Sequence, residues 1–318
     1  MTVAVLTDAD RFPFDAAERA RLVSAHVELV EMPGHDPADV PATAEALFIY
    51  SLRVDEALLD RLPACRVLAR CGVGYDGVDV AAARRRGITV TYVPDYGSID
   101  VAEHTLALLL SCVRRVAAAD AAVRAGRWPS YAELGRMERL HGRLLGLLGF
   151  GRIAREVARM AAALGLQVAA YDQYLPDAVL LAAGVTPLAL DQLLTQADVL
   201  SVHLPLTPAT RQVLGAPQFA RVRPGALLIN TARGGLVDTD ALVDAVRSGR
   251  LGGAGLDVVD PEPLPPGHPL LALPQVVLTP HSAAFTEEAL GDVRRTALDD
   301  VLLVLAGQPP RFPIPDEE

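Results

Sequence analysis

Short apolar, β-branched stretches alternate with helical patterns along the whole chain, and this alternation constrains the fold more than any other feature. Strands are predicted at Val3–Thr7, Val27–Val30, Leu47–Tyr50, Val67–Ala69 and Thr89–Tyr92, with helix-like segments between them such as Asp55–Leu62 and Val80–Arg86. A strand–helix–strand rhythm calls for a parallel sheet covered by helices. The rhythm breaks at Pro94–Ser98, whose residues are those of a loop. A long helix is predicted to start near Ile99 and run to about Gly126, capped by Ser98 or Asp100, with Glu103 at capping-box spacing from Asp100. A less regular arm, Arg127–Arg143, follows. From Leu144 the rhythm restarts, with strands at Leu144–Leu148, Gln167–Tyr171, Val199–His203, Ala226–Asn230, Gly253–Asp257 and Val276–Thr279. A final helix, Glu287–Ala306, precedes a Pro-rich tail, Pro309–Pro315. For 318 residues this predicts an α/β protein of two doubly wound parallel-sheet domains of about equal size.

Composition narrows the function classes. Hydrophobic residues make up 51% and charged residues 21%, which suits a chain that buries a large core rather than a disordered one. No apolar run approaches the roughly 20 residues of a membrane span. The first residues read as a strand without a basic leader or cleavage site, so a cytoplasmic protein is expected. A net charge of −10 makes nucleic acid and anionic membrane poor partners. All 29 basic residues are arginine. Without lysine, Schiff-base chemistry, the P-loop lysine, kinase-type ATP binding and Tyr-x-x-x-Lys dehydrogenases are excluded. Cys65, Cys71 and Cys112 show no metal or redox spacing and are expected to be buried free thiols, with no metal bound.

The restart at Leu144 carries a fingerprint. Leu144–Leu148 is followed by Gly149-Phe150-Gly151-Arg152-Ile153-Ala154, a Gly-x-Gly-x-x-Ala turn opening an amphipathic helix (Ile153, Val157, Met160, Leu164). The first glycine allows the tight turn, the second the approach of backbone N–H groups to a pyrophosphate, and Ala154 the close helix–strand packing. Asp172, 21 residues after Gly151, ends the next strand where an acid would accept hydrogen bonds from ribose hydroxyls. No arginine follows it to hold a 2′-phosphate, so NAD is favoured over NADP. The fingerprint lies behind a complete α/β domain, unlike that of L-lactate and malate dehydrogenases.

Three later strands end in polar residues: Asn230-Thr231-Ala232-Arg233-Gly-Gly, Gly255-Leu-Asp257…Glu262-Pro, and Leu278-Thr-Pro-His281. In a doubly wound sheet such ends converge on one crevice. There an arginine can grip a carboxylate, a histidine can move a proton, and a glutamate beside it can orient the imidazole and favour its protonated form. Taken singly, Arg233 fits an ion-paired surface residue equally well. Glu262 alone fits a loop surface, and His281 either role.

Taken in order, these segments resemble the D-isomer-specific 2-hydroxyacid dehydrogenase family over nearly the whole chain. The carrying motifs are Cys71–Asp79, Val101–Thr105, Gly142–Ile153, His203–Thr210, Asn230–Gly235, Asp257…Glu262-Pro and Thr279-Pro-His281. The resemblance implies a flavodoxin-like substrate domain (1–98 plus 285–318) and a Rossmann NAD-binding domain (99–284). Hinges are implied near Ser98–Val101 and Ser282–Glu287, with closure that excludes water. It assigns Arg233 to the substrate carboxylate and carbonyl, His281 to acid/base work with Glu262 behind it, and Asp257 to the nicotinamide carboxamide. The backbone of Val73 and Gly74 would bind the carboxylate. Cofactor contacts fall on Gly149, Phe150, Gly151, Arg152, Ile153, Asp172, His203, Leu204, Pro205, Thr210, Thr231 and Ala232. A homodimer through the cofactor domain is also implied, and His104 is expected at an interdomain contact.

The expected function is hydride transfer between NADH and a small 2-keto acid or D-2-hydroxy acid. Ser282–Glu288, Pro94–Gly97 and the Arg311–Pro315 tail resemble the C-terminal-binding-protein-like branch, which gives an alternative: an NAD(H)-sensing corepressor-like protein with little turnover. Arg53 is the one cation in the Ile49–Arg53 loop, so a phosphorylated substrate is not favoured. Formate-oxidising members replace the glutamate by glutamine, so Glu262 argues against formate.

Overall fold

A computed structural model of the chain describes residues 1–135 and 137–315. The chain divides into two compact units, Met1–Gly97 with the segment from Phe285 onward, and Ser98–Ala284. Among the described residues the strands form one five-stranded and one seven-stranded sheet, and the paired strands within each are parallel.

The first unit holds β1 (Thr2–Leu6), β2 (Val27–Glu31), β3 (Ala46–Ile49), β4 (Val67–Arg70) and β5 (Thr89–Thr91), in the order β2-β1-β3-β4-β5. All four residues of β3 are buried, as a strand covered on both faces requires. One face packs on Leu58, Leu59, Ala82 and Ala83 from the helices Glu56–Asp60 and Val80–Arg85, and on Leu62 just after the first. The other packs on the helix Glu287–Leu305, whose Val293, Ala297, Leu298 and Val301 repeat at helical spacing and are at most 2% exposed. Burying each of these larger side chains stabilises the unit by about 1.5–3 kcal/mol. The tail then returns to the free edge of β5. Tyr92 donates to the Phe312 carbonyl and Ile314 to the Val90 carbonyl, while buried Asp300 accepts from the N–H groups of Arg311 and Phe312.

The second unit holds β6 (Leu144–Leu148), β7 (Gln167–Tyr171), β8 (Thr186–Pro187), β9 (Val199–Val202), β10 (Ala226–Asn230), β11 (Leu251–Leu256) and β12 (Val276–Leu278). Their order is β12-β11-β10-β9-β6-β7-β8, so the chain reverses direction across the sheet at β6. That reversal opens a crevice at the carboxyl ends of β6 and β9.

Two expectations change. β8 is a two-residue edge strand that its Thr-Pro sequence does not announce. The predicted long helix is two: Ser98–Arg114 and Val116–Arg124. Arg115 between them takes a left-handed φ of 54°, and its guanidinium donates to the Gly252 carbonyl (3.2 Å). The first helix begins at Ser98, which puts Asp100 inside its first turn rather than ahead of it. No helix among the described residues is long and apolar enough to cross a membrane. The three cysteines are buried and free, and burial pushes each thiol up to about 12.

Candidate active site

Six neighbouring strands of the second unit end at one edge of the sheet. In spatial order they deliver His281 (after β12), Asp257 (β11), Asn230–Arg233 (β10), His203 (β9), Gly149 (β6) and Asp172 (β7). Neighbouring strands lie about 4.8 Å apart, so these residues form a row on the scale of an extended dinucleotide.

The glycine turn is built as its sequence requires. Gly149 has φ 91°, and a Cβ there would stand 2.7 Å from the His203 carbonyl oxygen. Gly151 precedes the helix Arg152–Ala163, and no side-chain oxygen caps that helix end. A Cβ on Gly151 would meet nothing within 4 Å, so the glycine leaves open space beside a helix N-terminus. That cradle fits a pyrophosphate. Asp172 is held by three backbone donors: Phe150 N–H (2.9 Å) on Oδ2, and Tyr174 (2.9 Å) and Leu175 (3.2 Å) on Oδ1. Oδ2, with a single donor, keeps acceptor capacity for a ribose hydroxyl. Phe150 itself turns its ring into the core and gives its N–H to Asp172, so it serves by tying the turn to β7. Arg152 is exposed, and Ile153 packs on the core beneath the helix.

His203 shares a 2.8 Å hydrogen bond with Ser201 through Nε2, and burial lowers its pKa to about 4, so the ring is neutral at pH 7. Leu204 packs on the core, while Thr210 closes the following turn by donating to the Pro205 carbonyl (2.6 Å). At the end of β10, buried Asn230 staples the turn. Its Oδ1 accepts from Ala232 N–H (3.0 Å) and its Nδ2 donates to the Arg233 carbonyl (2.9 Å). Thr231 shares a hydrogen bond with Thr105 (2.8 Å). Arg233 is extended, with Nη1 on the Ala232 carbonyl (2.7 Å).

His281 and Glu262 meet directly: Nδ1 and Oε1 are 2.7 Å apart, and both side chains remain partly exposed. His281 takes a left-handed φ of 55°, rare for a residue with a Cβ. Its N–H donates to the Asp257 carbonyl (2.9 Å). The Asp257 carboxylate accepts from Thr279 Oγ1 (2.5 Å), Ser282 N–H and Ala283 N–H (2.9 Å each), so the chain on both sides of His281 is tied to one anion. Burial alone would raise the Asp257 pKa. Hydrogen bonds from His104, Thr279, Ser282 and Ala283 outweigh it and hold the group at about 2.

A carboxyl with a lowered folded pKa stabilises the fold above its unfolded value, near 4, and that stabilisation is lost as pH falls toward 2. Asp257→Asn is therefore expected to cost about 2 kcal/mol of unfolding free energy at pH 7. The gap between variant and parent should close below pH 4, as read from urea midpoints.

The carboxylate of Asp257 is thus largely engaged within the chain, with Oδ2 the less committed oxygen for a ligand. Within its own unit, His104 shares a hydrogen bond with Thr279 Oγ1 (2.9 Å). Asn230, Thr105, Thr279 and His104 were not among the expected site residues. Their signal was a polar side chain directly at the carboxyl end of an apolar strand, or facing one. In the first unit, Val73 and Gly74 lie in the loop after β4, where Val73 is 42% exposed.

The model of the D-isomer specific 2-hydroxyacid dehydrogenase NAD binding domain matches residues 106–283. The chain is 40% identical over 309 residues to D-3-phosphoglycerate dehydrogenase of Mycobacterium leprae (strain TN), covering 96% of this chain and 55% of that protein. It is 38% identical over 276 residues to glyoxylate reductase of Aeropyrum pernix, covering 84% and 82%. Among solved structures, the TT0316 protein from Thermus thermophilus superposes with a TM-score of 0.88 at 39% identity, covering 99% and 100%. The chain spans about half the length of the phosphoglycerate dehydrogenases it matches.

These relatives correct the expected placement near the corepressor-like branch. The segments behind that placement have local duties instead. Ser282 and Ala283 bring their N–H groups to Asp257, and the tail serves Asp300 and the edge of β5.

Proposed function

Because the chain belongs to the D-isomer specific 2-hydroxyacid dehydrogenase family, we propose that it interconverts a small 2-keto acid and its D-2-hydroxy acid with NAD. The observation that carries this reading is the 2.7 Å contact between His281 Nδ1 and Glu262 Oε1 at the end of β12. A carboxylate fixed on Nδ1 orients the ring and leaves Nε2 to exchange a proton with the substrate oxygen. NADH, when bound, supplies the hydride. Arg233 grips the substrate carboxylate and polarises the carbonyl. His281 gives its Nε2 proton to the carbonyl oxygen in reduction and takes it back in oxidation.

The cofactor half of the reading rests on the open space at Gly151 and the fixed carboxylate of Asp172. That carboxylate repels a 2′-phosphate, and the Gln173-Tyr174 that follows it supplies no arginine to hold one. Asp172→Ala is expected to weaken NAD binding about tenfold, the worth of one to two hydrogen bonds, and to narrow the preference over NADP. Titrating both cofactors by protein fluorescence quenching checks this; unchanged selectivity removes Asp172 from ribose recognition.

A small, unphosphorylated substrate is the choice here. The Ser51–Arg53 loop carries a single arginine, and the neighbouring Tyr50 stacks on Phe12 (4.1 Å between centroids), over which Arg11 is held at 5.8 Å. NADH consumption is to be measured with glyoxylate, hydroxypyruvate, pyruvate, phenylpyruvate and 3-phosphohydroxypyruvate. Turnover of one or two of the first four is expected. Preference for the phosphorylated acid overturns the substrate choice and keeps the reaction; no turnover with any overturns both. A homodimer through the second unit completes the proposal, supported by the exposed Leu110, Val116, Val123, Trp128 and Tyr131.

A further inference from the structure

Glu262 must stay 2.7 Å from His281, yet it stands in a stretch that secondary structure does not hold. Asp260-Pro261-Glu262-Pro263 lies outside helices and strands, and its prolines offer no N–H groups. The anchor of this stretch lies one step earlier in the chain. Gly234 lets the backbone of Val259–Asp260 settle directly against it, since a Cβ there would stand 1.9 Å from the Val259 oxygen and 2.7 Å from the Asp260 nitrogen. The Thr239 hydroxyl donates to the Asp260 carbonyl at 2.7 Å. Arg211 reaches the Asp260 carboxylate at 3.3 Å, but both side chains are about half exposed, and such a pair contributes little.

Thr239 is itself well fixed. It opens the helix Thr239–Arg247, which Asp238 caps through Ala241 N–H and which buries Leu242, Val243, Ala245 and Val246. We propose that Thr239 is a positioning residue for Glu262: by holding the Asp260 carbonyl it fixes the proline-bounded segment, and through Glu262 it fixes the His281 ring. The inference rests on the dehydrogenase reading and deepens it, since nothing in the reaction itself touches Thr239.

The test compares Thr239→Val, Thr239→Ser, Glu262→Ala and the double variant Thr239→Val/Glu262→Ala, using NADH and the keto acid that the parent protein turns over fastest. Thr239→Val is expected to lower kcat about fivefold, the rate equivalent of one net hydrogen bond, with KM and NADH affinity unchanged. Thr239→Ser, which keeps the hydroxyl, restores kcat. The double variant is no slower than Glu262→Ala alone, because a residue acting through Glu262 has no effect once Glu262 is gone. A parental kcat in Thr239→Val, no rescue by serine, or multiplied effects in the double variant would each overturn the inference. If Glu262→Ala itself leaves kcat unchanged, the His281–Glu262 reading fails instead, and the inference with it.

Discussion

His281→Ala is expected to lower kcat for keto-acid reduction by about a hundredfold or more while NADH still binds. The size follows from what the side chain does. Its Nδ1 is committed to Glu262 at 2.7 Å, so Nε2 is the nitrogen left for the substrate oxygen, and alanine removes the proton donor outright. The separation of rate from cofactor affinity follows from position. His281 follows β12, whereas Gly149, Gly151 and Asp172 lie at the ends of β6 and β7 on the other side of β10 and β9. The left-handed φ of His281 is held by its own backbone and by Asp257, so alanine does not release the neighbouring Ser282 and Ala283 from that carboxylate. Pre-steady-state rates and NADH fluorescence titration on one preparation check both halves. Activity that survives the change would remove His281 from proton transfer.

The second large effect belongs to Arg233. Replacing it with alanine removes two charge-assisted hydrogen bonds to a carboxylate and the polarisation of the carbonyl. Together these predict a loss of about 10²–10³ in kcat/KM. Arg233→Lys should recover only part of this, because an ammonium cannot form the planar two-donor fork. The scaffold should survive either change. Asn230 staples the turn through backbone groups of Ala232 and Arg233, which either variant keeps. Steady-state kinetics with thermal melting alongside separates the cases. A variant that melts like the parent and retains its kcat/KM would place the substrate carboxylate elsewhere.

Much of this arrangement is legible in the residues. Leu144–Leu148, Gln167–Tyr171 and Ala226–Asn230 are readable to the residue, because each is an apolar run bounded by turn chemistry. The fingerprint also locates its own strand, turn and helix, since the left-handed φ of Gly149 and the start of a helix directly after Gly151 are local backbone features. What escapes is decided at long range. Arg115 breaks an otherwise continuous helical pattern with its guanidinium at the Gly252 carbonyl, 137 positions along the chain. His104 finds Thr279 and Asp257 across a helix–sheet contact that periodicity cannot specify. Thr186–Pro187 is a strand only because β7 lies beside it. Similar logic covers Asn230, whose side chain looks like a strand end in sequence and proves to be the staple of the Arg233 turn.

Deuterium transfer from NADH deuterated at both C4 positions to the keto acid that turns over fastest is the most direct test of the central claim. Direct hydride transfer with His281 as proton donor predicts one deuterium at C2 of the D-2-hydroxy acid per NADH consumed, with labelled product formed about a hundredfold or more slowly by His281→Ala. Bound NADH that yields no labelled hydroxy acid from any of the five keto acids would contradict the dehydrogenase reading and leave a protein that binds the cofactor without using it.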